Sequence, residues 1–278
     1  MAKIAVTPPV VIPDENMFLT VSGSCERIAG TNSTLNPKEK LNAITRHMWM
    51  RLHEVITILS ADTSLRCIVL RSTSPTAFSP GCDIHEFSTC RASKRQAREY
   101  GELMHRTLEA FVHCPVPVIA EIRGLCIGAG LELASVCDIR LCGESARFGA
   151  PVKNLRLVMA YPELKPLLML TSPDVLMEIL LEGRIFNARE ALDRHLVTRV
   201  IPDEELADAV RQSVSGIVSG APLAARWHKR FIRRLADPSP VTPQEYDECF
   251  DCFDTMDYEK GYRALRDPLI ISPKRNHV

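Results

Sequence analysis

Two short apolar runs constrain this chain more than any other feature. R-C-I-V-L-R, residues 66–71, and P-V-P-V-I-A-E-I, residues 115–122, are continuous rather than alternating. That pattern belongs to strands buried on both faces, which in soluble proteins means a parallel sheet with helices above and below it. The segments before and between them support the reading. Apolar residues at 48, 49, 52, 55, 56 and 59 form a helical stripe just before the first run, with Thr45 placed as its N-cap. Residues 91–113 read as a second, charge-rich helix. Further short strands are expected at D-I-R-L-C and A-R-F-G. From about residue 173 the chain is helical over 174–182, 188–194, 203–219, 222–236, 243–254 and 257–266, broken only by L-V-T-R-V-I at 196–201.

The order predicts α/β layers with a helical C-terminal region. An irregular lead-in spans 1–16, the α/β core 17–202 and the helical region 203–278. M-F-L-T-V-S and C-E-R-I-A, near the start of the core, read as strand-like pieces. No sequence repeat of fixed period is visible.

Composition excludes several classes of function. The 278 residues carry 34 basic and 34 acidic side chains, so no electrostatic footprint for nucleic acid or an anionic membrane exists. No run of 18 apolar residues is present, and the N-terminus lacks a signal peptide's apolar centre. Among ten scattered cysteines, Cys67 and Cys137 lie in apolar runs and read as small buried hydrophobes. Cys249 and Cys252 form one C-x-x-C without the second pair of ligands that zinc needs, so no metal is expected. The expectation is a cytoplasmic protein in a reducing compartment.

The chemistry-bearing stretch is G-L-C-I-G-A-G-L-E-L, residues 124–133. From Gly128 the dinucleotide fingerprint lacks its third glycine, and no Walker lysine follows, so both phosphate readings are weak. A plain strand-to-helix turn is the bland reading. A third reading uses the unpaired N–H groups at a helix start, which attract negative charge. Two such groups converging from separate turns make an oxyanion hole. The second turn is F-S-P-G-C-D-I, residues 78–84, after the first buried run.

A-F-S-P-G-C-D-I (77–84) and G-L-C-I-G-A-G-L-E-L-A-S-V-C-D-I-R (124–140) together resemble the two signature regions of the crotonase, or enoyl-CoA hydratase/isomerase, superfamily. N-P-K-E-K-L-N-A-I-T (36–45), A-R-F-G-A-P (146–151) and the segment 179–202 resemble further family motifs in the same order. The resemblance covers about residues 17–266 and implies a ββα spiral core with a helical trimerisation region.

It also implies an acyl-CoA thioester substrate, with coenzyme A entering as part of that substrate and no separate cofactor. The backbone N–H groups of Cys82 and Ala129 would hold the thioester oxygen, and Glu132 would transfer protons. Lys40, Leu41 and Ala43, with Gly81, Asp83, Ile84, His85 and Gly128, match positions that line CoA and substrate. Lys229 resembles a lysine that approaches CoA phosphates, or else belongs to a solvated helix face.

The chain departs from the family at the second glutamate, whose position is Val152, and at the glycines that usually follow, where L-V-M-A-Y-P-E-L (157–164) stands. Glu163, Tyr161 and Lys153 are the candidate replacements. A hydratase/isomerase-like enzyme working through one glutamate is the first expectation. The alternative is a degenerate crotonase-fold protein that binds CoA compounds or a protein partner without turnover. A homotrimer or dimer of trimers is expected by resemblance, with no nucleic-acid or membrane partner.

Overall fold

The computed structural model describes residues 10–11, 17–23 and 41–266. Its strands are β1 (Val10–Val11), β2 (Met17–Gly23), β3 (Leu65–Ser72), β4 (Ala77–Ser79), β5 (Val118–Ile122), β6 (Leu125–Ile127), β7 (Ile139–Gly143), β8 (Arg147–Gly149), β9 (Ile185–Asn187) and β10 (Arg199–Ile201). The first sheet runs β1-β2-β3-β5-β7-β10, the second β4-β6-β8-β9. β1, β2 and β3 pair antiparallel; β3, β5, β7 and β10 pair parallel, with Ile68 opposite Val118 and Ile119 opposite Ile139. Three strands of the first sheet hand the chain to short strands of the second: β3 to β4, β5 to β6, β7 to β8. Helices then return it, which makes a ββα spiral.

The helices are α1 (Arg46–Ala61), α2 (Phe87–Cys90), α3 (Lys94–His113), α4 (Ala129–Ser135), α5 (Tyr161–Leu168), α6 (Pro173–Met177), α7 (Ala188–Asp193), α8 (Leu206–Ser219), α9 (Pro222–Arg234), α10 (Pro243–Asp247) and α11 (Met256–Arg266). Thr45 caps α1 by accepting the Met48 N–H at 3.1 Å, as its position predicts. Alternate residues of β3 explain its unbroken hydrophobicity. Ile68 and Leu70 join the main core with α1 and α3, whereas Cys67 and Val69 join Ile119 and Leu141 in a second cluster under Leu206, Val210 and Val214 of α8. Both faces therefore exclude water, each buried Leu or Ile contributing about 1.5–3 kcal/mol.

Some expectations are revised, and one is untested. The 1–16 lead-in is not wholly irregular, because Val10 and Val11 pair with Leu19 and Phe18. C-E-R-I-A lies outside the described residues. The F-S-P-G-C-D-I segment, read as a turn, begins within β4, and the glycine stretch contains β6. Strands of three residues carry no periodicity, so of the second sheet only β8, expected at A-R-F-G, shows in the sequence.

Lys229 is neither solvated nor free for a phosphate. Its Nζ donates to the Val116 carbonyl at 2.8 Å and pairs with Asp138 Oδ2 at 2.7 Å. With Arg226, which donates to the Leu65 carbonyl, and Arg233, which bonds Val136 and Asp138, it docks α9 on the body through one cationic face. Apolar residues of the C-terminal helices, among them Ile232, Leu235, Phe250, Phe253, Tyr262 and Leu265, are exposed in the isolated chain.

Candidate active site

The site forms where the ends of β4 and β6 lie side by side. After β4 the chain turns at Gly81, whose φ of +109° suits glycine, and reaches Cys82. After β6 it turns at Gly128 and enters α4 at Ala129. The parallel pairing of β4 with β6 brings the two turns together: a β-carbon at Gly81 would stand 3.7 Å from the Ala129 nitrogen. Gly130 sets this spacing, since a β-carbon there would lie 2.6 Å from the Ser79 carbonyl oxygen. Only glycine lets α4 settle directly on β4. The Gly81 and Cys82 side is pinned by a bridge to the chain before α1, with the Ile44 N–H donating to Gly81 O at 2.8 Å and the Asp83 N–H to Ile44 O at 2.9 Å. Ala129, as the first residue of α4, presents its N–H outside the helix's own bonding.

Glu132 lies on α4, one turn beyond Ala129, and is buried at 4% exposure. Its Oε2 has no hydrogen-bond partner among the described residues. Burial pushes its carboxyl up to about 8, the neighbouring charge of Glu163 adds to the rise, and the Arg91 guanidinium partly opposes it. A carboxyl that keeps its proton near neutral pH, with one free oxygen, is placed to give and take protons.

Of the three candidate replacements, only Glu163 is a charge that Glu132 feels. It sits on α5, which packs on α4. Its Oε2 accepts the Ala160 N–H at 2.7 Å and its Oε1 is hydrogen-bonded to His105 Nε2 of α3 at 2.9 Å. Tyr161 is 89% exposed. Lys153 is exposed, with its Cε only 2.8 Å from where a β-carbon of Gly183 would stand. Val152 begins a short 3₁₀ turn, Val152–Leu155, and packs against the main core. His105 was not legible as a site residue. It lies on a charge-rich helix, and its partner is 58 residues away in the chain.

Leu41 and Ala43 lie in the segment before α1, just ahead of Ile44, which bridges to Cys82, and Lys40 lies outside the described residues. Leu41 is exposed with φ of 47°, and Asn42 is buried, its Nδ2 donating to the Phe78 carbonyl at 2.5 Å. Asp83 caps the turn Ile84–Glu86 by accepting the His85 N–H at 3.0 Å, and Glu86 accepts the Arg46 N–H at 2.7 Å. Ile84 and His85 are exposed. Burial pushes the Cys82 thiol up to about 11, which keeps it protonated and weakly nucleophilic.

A spiral of ββα units with two glycine turns meeting over a buried glutamate defines a crotonase-fold protein. Residues 31–265 match the family model described as enoyl-CoA hydratase/isomerase, and the chain belongs to that family. It is 27% identical over 233 residues to a crotonyl-CoA hydratase of Syntrophomonas wolfei, covering 83% of this chain and 89% of that one. It resembles the crystal structure of an enoyl-CoA hydratase/carnithine racemase from Magnetospirillum magneticum, with 43% identity, a TM-score of 0.84, and coverage of 91% and 93%. A putative enoyl-CoA hydratase/isomerase family protein from Hyphomonas neptunium follows at 32% identity and a TM-score of 0.80, over 84% and 90%. The family acts on acyl-CoA thioesters.

Proposed function

We propose that this chain is a hydratase/isomerase-type enzyme acting on an acyl-CoA thioester, with Glu132 as its principal proton-transfer group. The N–H groups of Cys82 and Ala129 bind the thioester oxygen and stabilise the enolate that forms there. Glu132, protonated at neutral pH, gives its proton to the α-carbon as the enolate collapses, and its ionised form takes one back in the reverse direction. In hydration, Glu163, fixed by His105 and the Ala160 N–H, accepts the proton of the water that adds to the β-carbon. It thereby does from α5 what Val152 cannot. In isomerisation, Glu132 alone shuttles the proton.

The observation that carries this reading is the buried Glu132, one oxygen unpartnered, one helical turn from the junction of the two glycine turns. The names of the relatives, which are hydratases of short enoyl-CoA thioesters, support the substrate class. The CoA moiety is assigned to Leu41, Ala43, Gly81, Asp83, Ile84, His85 and Gly128, with Lys40 assigned to it by the resemblance alone. Trimeric assembly, alone or paired into a hexamer, would cover the exposed apolar residues of α9–α11. Among the described residues no helix is long and apolar enough to cross a membrane, and a cytoplasmic location is proposed with the assembly.

The test is turnover of a panel of enoyl-CoA thioesters, followed by loss of the conjugated thioester absorbance, with Glu132→Gln and Glu163→Gln beside the parent. Hydration requires both glutamates, and each variant is expected to lose at least 100-fold in kcat. Isomerisation without hydration would depend on Glu132 only. Turnover untouched by Glu132→Gln refutes the mechanism. Tight CoA-thioester binding with no turnover on any substrate would instead establish the non-catalytic reading that Val152 favours.

A further inference from the structure

Arg91 is a guanidinium that lies against the site yet makes no ion pair among the described residues. It follows α2, its backbone N–H bonded to the Phe87 carbonyl at 3.0 Å. Its Cζ stacks 3.8 Å from the centre of the Tyr100 ring and 4.8 Å from that of Phe87. Its Nη2 donates to two sulfurs, Cys82 Sγ at 3.3 Å and Met104 Sδ at 3.0 Å. Its Nε is buried without a partner.

Sulfur is a weak acceptor, so a cation with five donors is spending one nitrogen on poor partners and holding another unused. Retaining a half-buried charge in that state is costly. The aromatic faces orient the fork, and Arg is the side chain whose fork matches a carboxylate. The sulfur it touches belongs to Cys82, whose N–H is assigned to the thioester oxygen. The guanidinium therefore lies beside the Cys82 turn and within the electrostatic reach of Glu132.

We propose that Arg91 sets the acyl specificity: the chain accepts acyl-CoA thioesters whose acyl group ends in a second, ionised carboxylate, which pairs with the Arg91 guanidinium. This rests on the acyl-CoA reading above and names the substrate class within it. A neutral Glu132 suits such a substrate, because it puts no like charge beside the incoming carboxylate.

Binding separates this inference from the catalytic reading. Dissociation constants are measured by titration calorimetry for succinyl-, glutaryl- and adipyl-CoA against butyryl-, pentanoyl- and hexanoyl-CoA, which match them in carbon number and need no turnover. The parent protein is expected to prefer one dicarboxylic thioester over its neutral match by at least 10-fold. Arg91→Gln, checked for folding by near-UV circular dichroism, removes that preference. Arg91→Lys, which keeps the charge but loses the fork, retains part of it and serves if the glutamine variant fails to fold. A preference for the neutral thioesters, equal affinity for both sets, absence of binding, or a dicarboxylic preference unchanged in both variants overturns the proposal. Binding of this pattern without any turnover leaves the Arg91 assignment standing and refutes the catalytic reading alone.

Discussion

Replacing Glu132 by Gln should stabilise the protein, and the gain should grow with pH. The folded state raises the Glu132 carboxyl from 4.5 to about 8, chiefly by burial and secondly through Glu163, with Arg91 opposing. Below pH 4.5 both folded and unfolded chains hold the proton, and the raised value has no effect on stability. As pH climbs from 4.5 toward 8 the unfolded chain has released the proton while the folded one retains it, so folded stability falls by about 1.4 kcal/mol per pH unit. The accumulated cost is under about 1 kcal/mol at pH 5, roughly 3 at pH 7 and roughly 4 at pH 8.

A glutamine cannot ionise and escapes this cost. It fits the same volume and leaves one polar end atom unpartnered, as Glu132 Oε2 already is. Urea unfolding at fixed protomer concentration, extrapolated linearly at pH 5 and pH 8, measures the difference. The parent and variant should nearly coincide at pH 5, and the variant should be more stable by a few kcal/mol at pH 8. A difference that is the same at both pH values refutes the claim that Glu132 is buried with its proton. A variant that is less stable at pH 8 does so more severely, because it would mean the native site stabilises the ionised form.

Other consequences are local. Gly130→Ala places a β-carbon 2.6 Å from the Ser79 carbonyl and must lift α4 from β4. A loss of about 1–3 kcal/mol in stability is expected, together with a fall in kcat larger than any change in KM, as the Ala129 N–H moves from the Cys82 side; both are read from urea unfolding and steady-state kinetics. Lys229→Met removes the cationic partner of Asp138 Oδ2, which keeps only the Val118 N–H, and the donor to the Val116 carbonyl. It should cost roughly 2–4 kcal/mol in the same unfolding assay without altering affinity for CoA, which the CoA-phosphate role would not allow.

What the sequence disclosed follows from the range of each interaction. β3 and β5 were legible because double-sided burial writes itself as unbroken hydrophobicity, and α1 because Thr45 and an apolar stripe mark its start and face. β4, β6 and β9, of three residues each and held by partners distant in the chain, were not legible, although the equally short β8 was expected at A-R-F-G. Glu132 was singled out through the family resemblance of the stretch after Gly128, and the structure buries it on α4. The pairing of Glu163 with His105 was not, because it depends on α3 and α5 meeting across the spiral. Lys229 was misplaced for the complementary reason. An exposed-looking Trp-His-Lys-Arg stretch does not reveal that one face of α9 is turned toward carbonyls and Asp138.

The loss at Val152 is thus compatible with two-carboxylate chemistry, provided the second carboxylate need not come from the same loop. In the ββα spiral, α4 and α5 lie against one another, and a carboxylate on α5 reaches the environment of Glu132 from another direction. The partners then differ in kind. A residue on the Val152 turn would be held by that turn alone, whereas Glu163 is gripped at both oxygens, by the start of its own helix and by His105. That grip makes Glu163 rigid but also gives it a structural duty as an N-terminal cap. Only its proximity to Glu132 argues for chemistry, and so the Glu163→Gln variant must be read by its effect on hydration relative to isomerisation: a cap that matters only to folding would depress both alike.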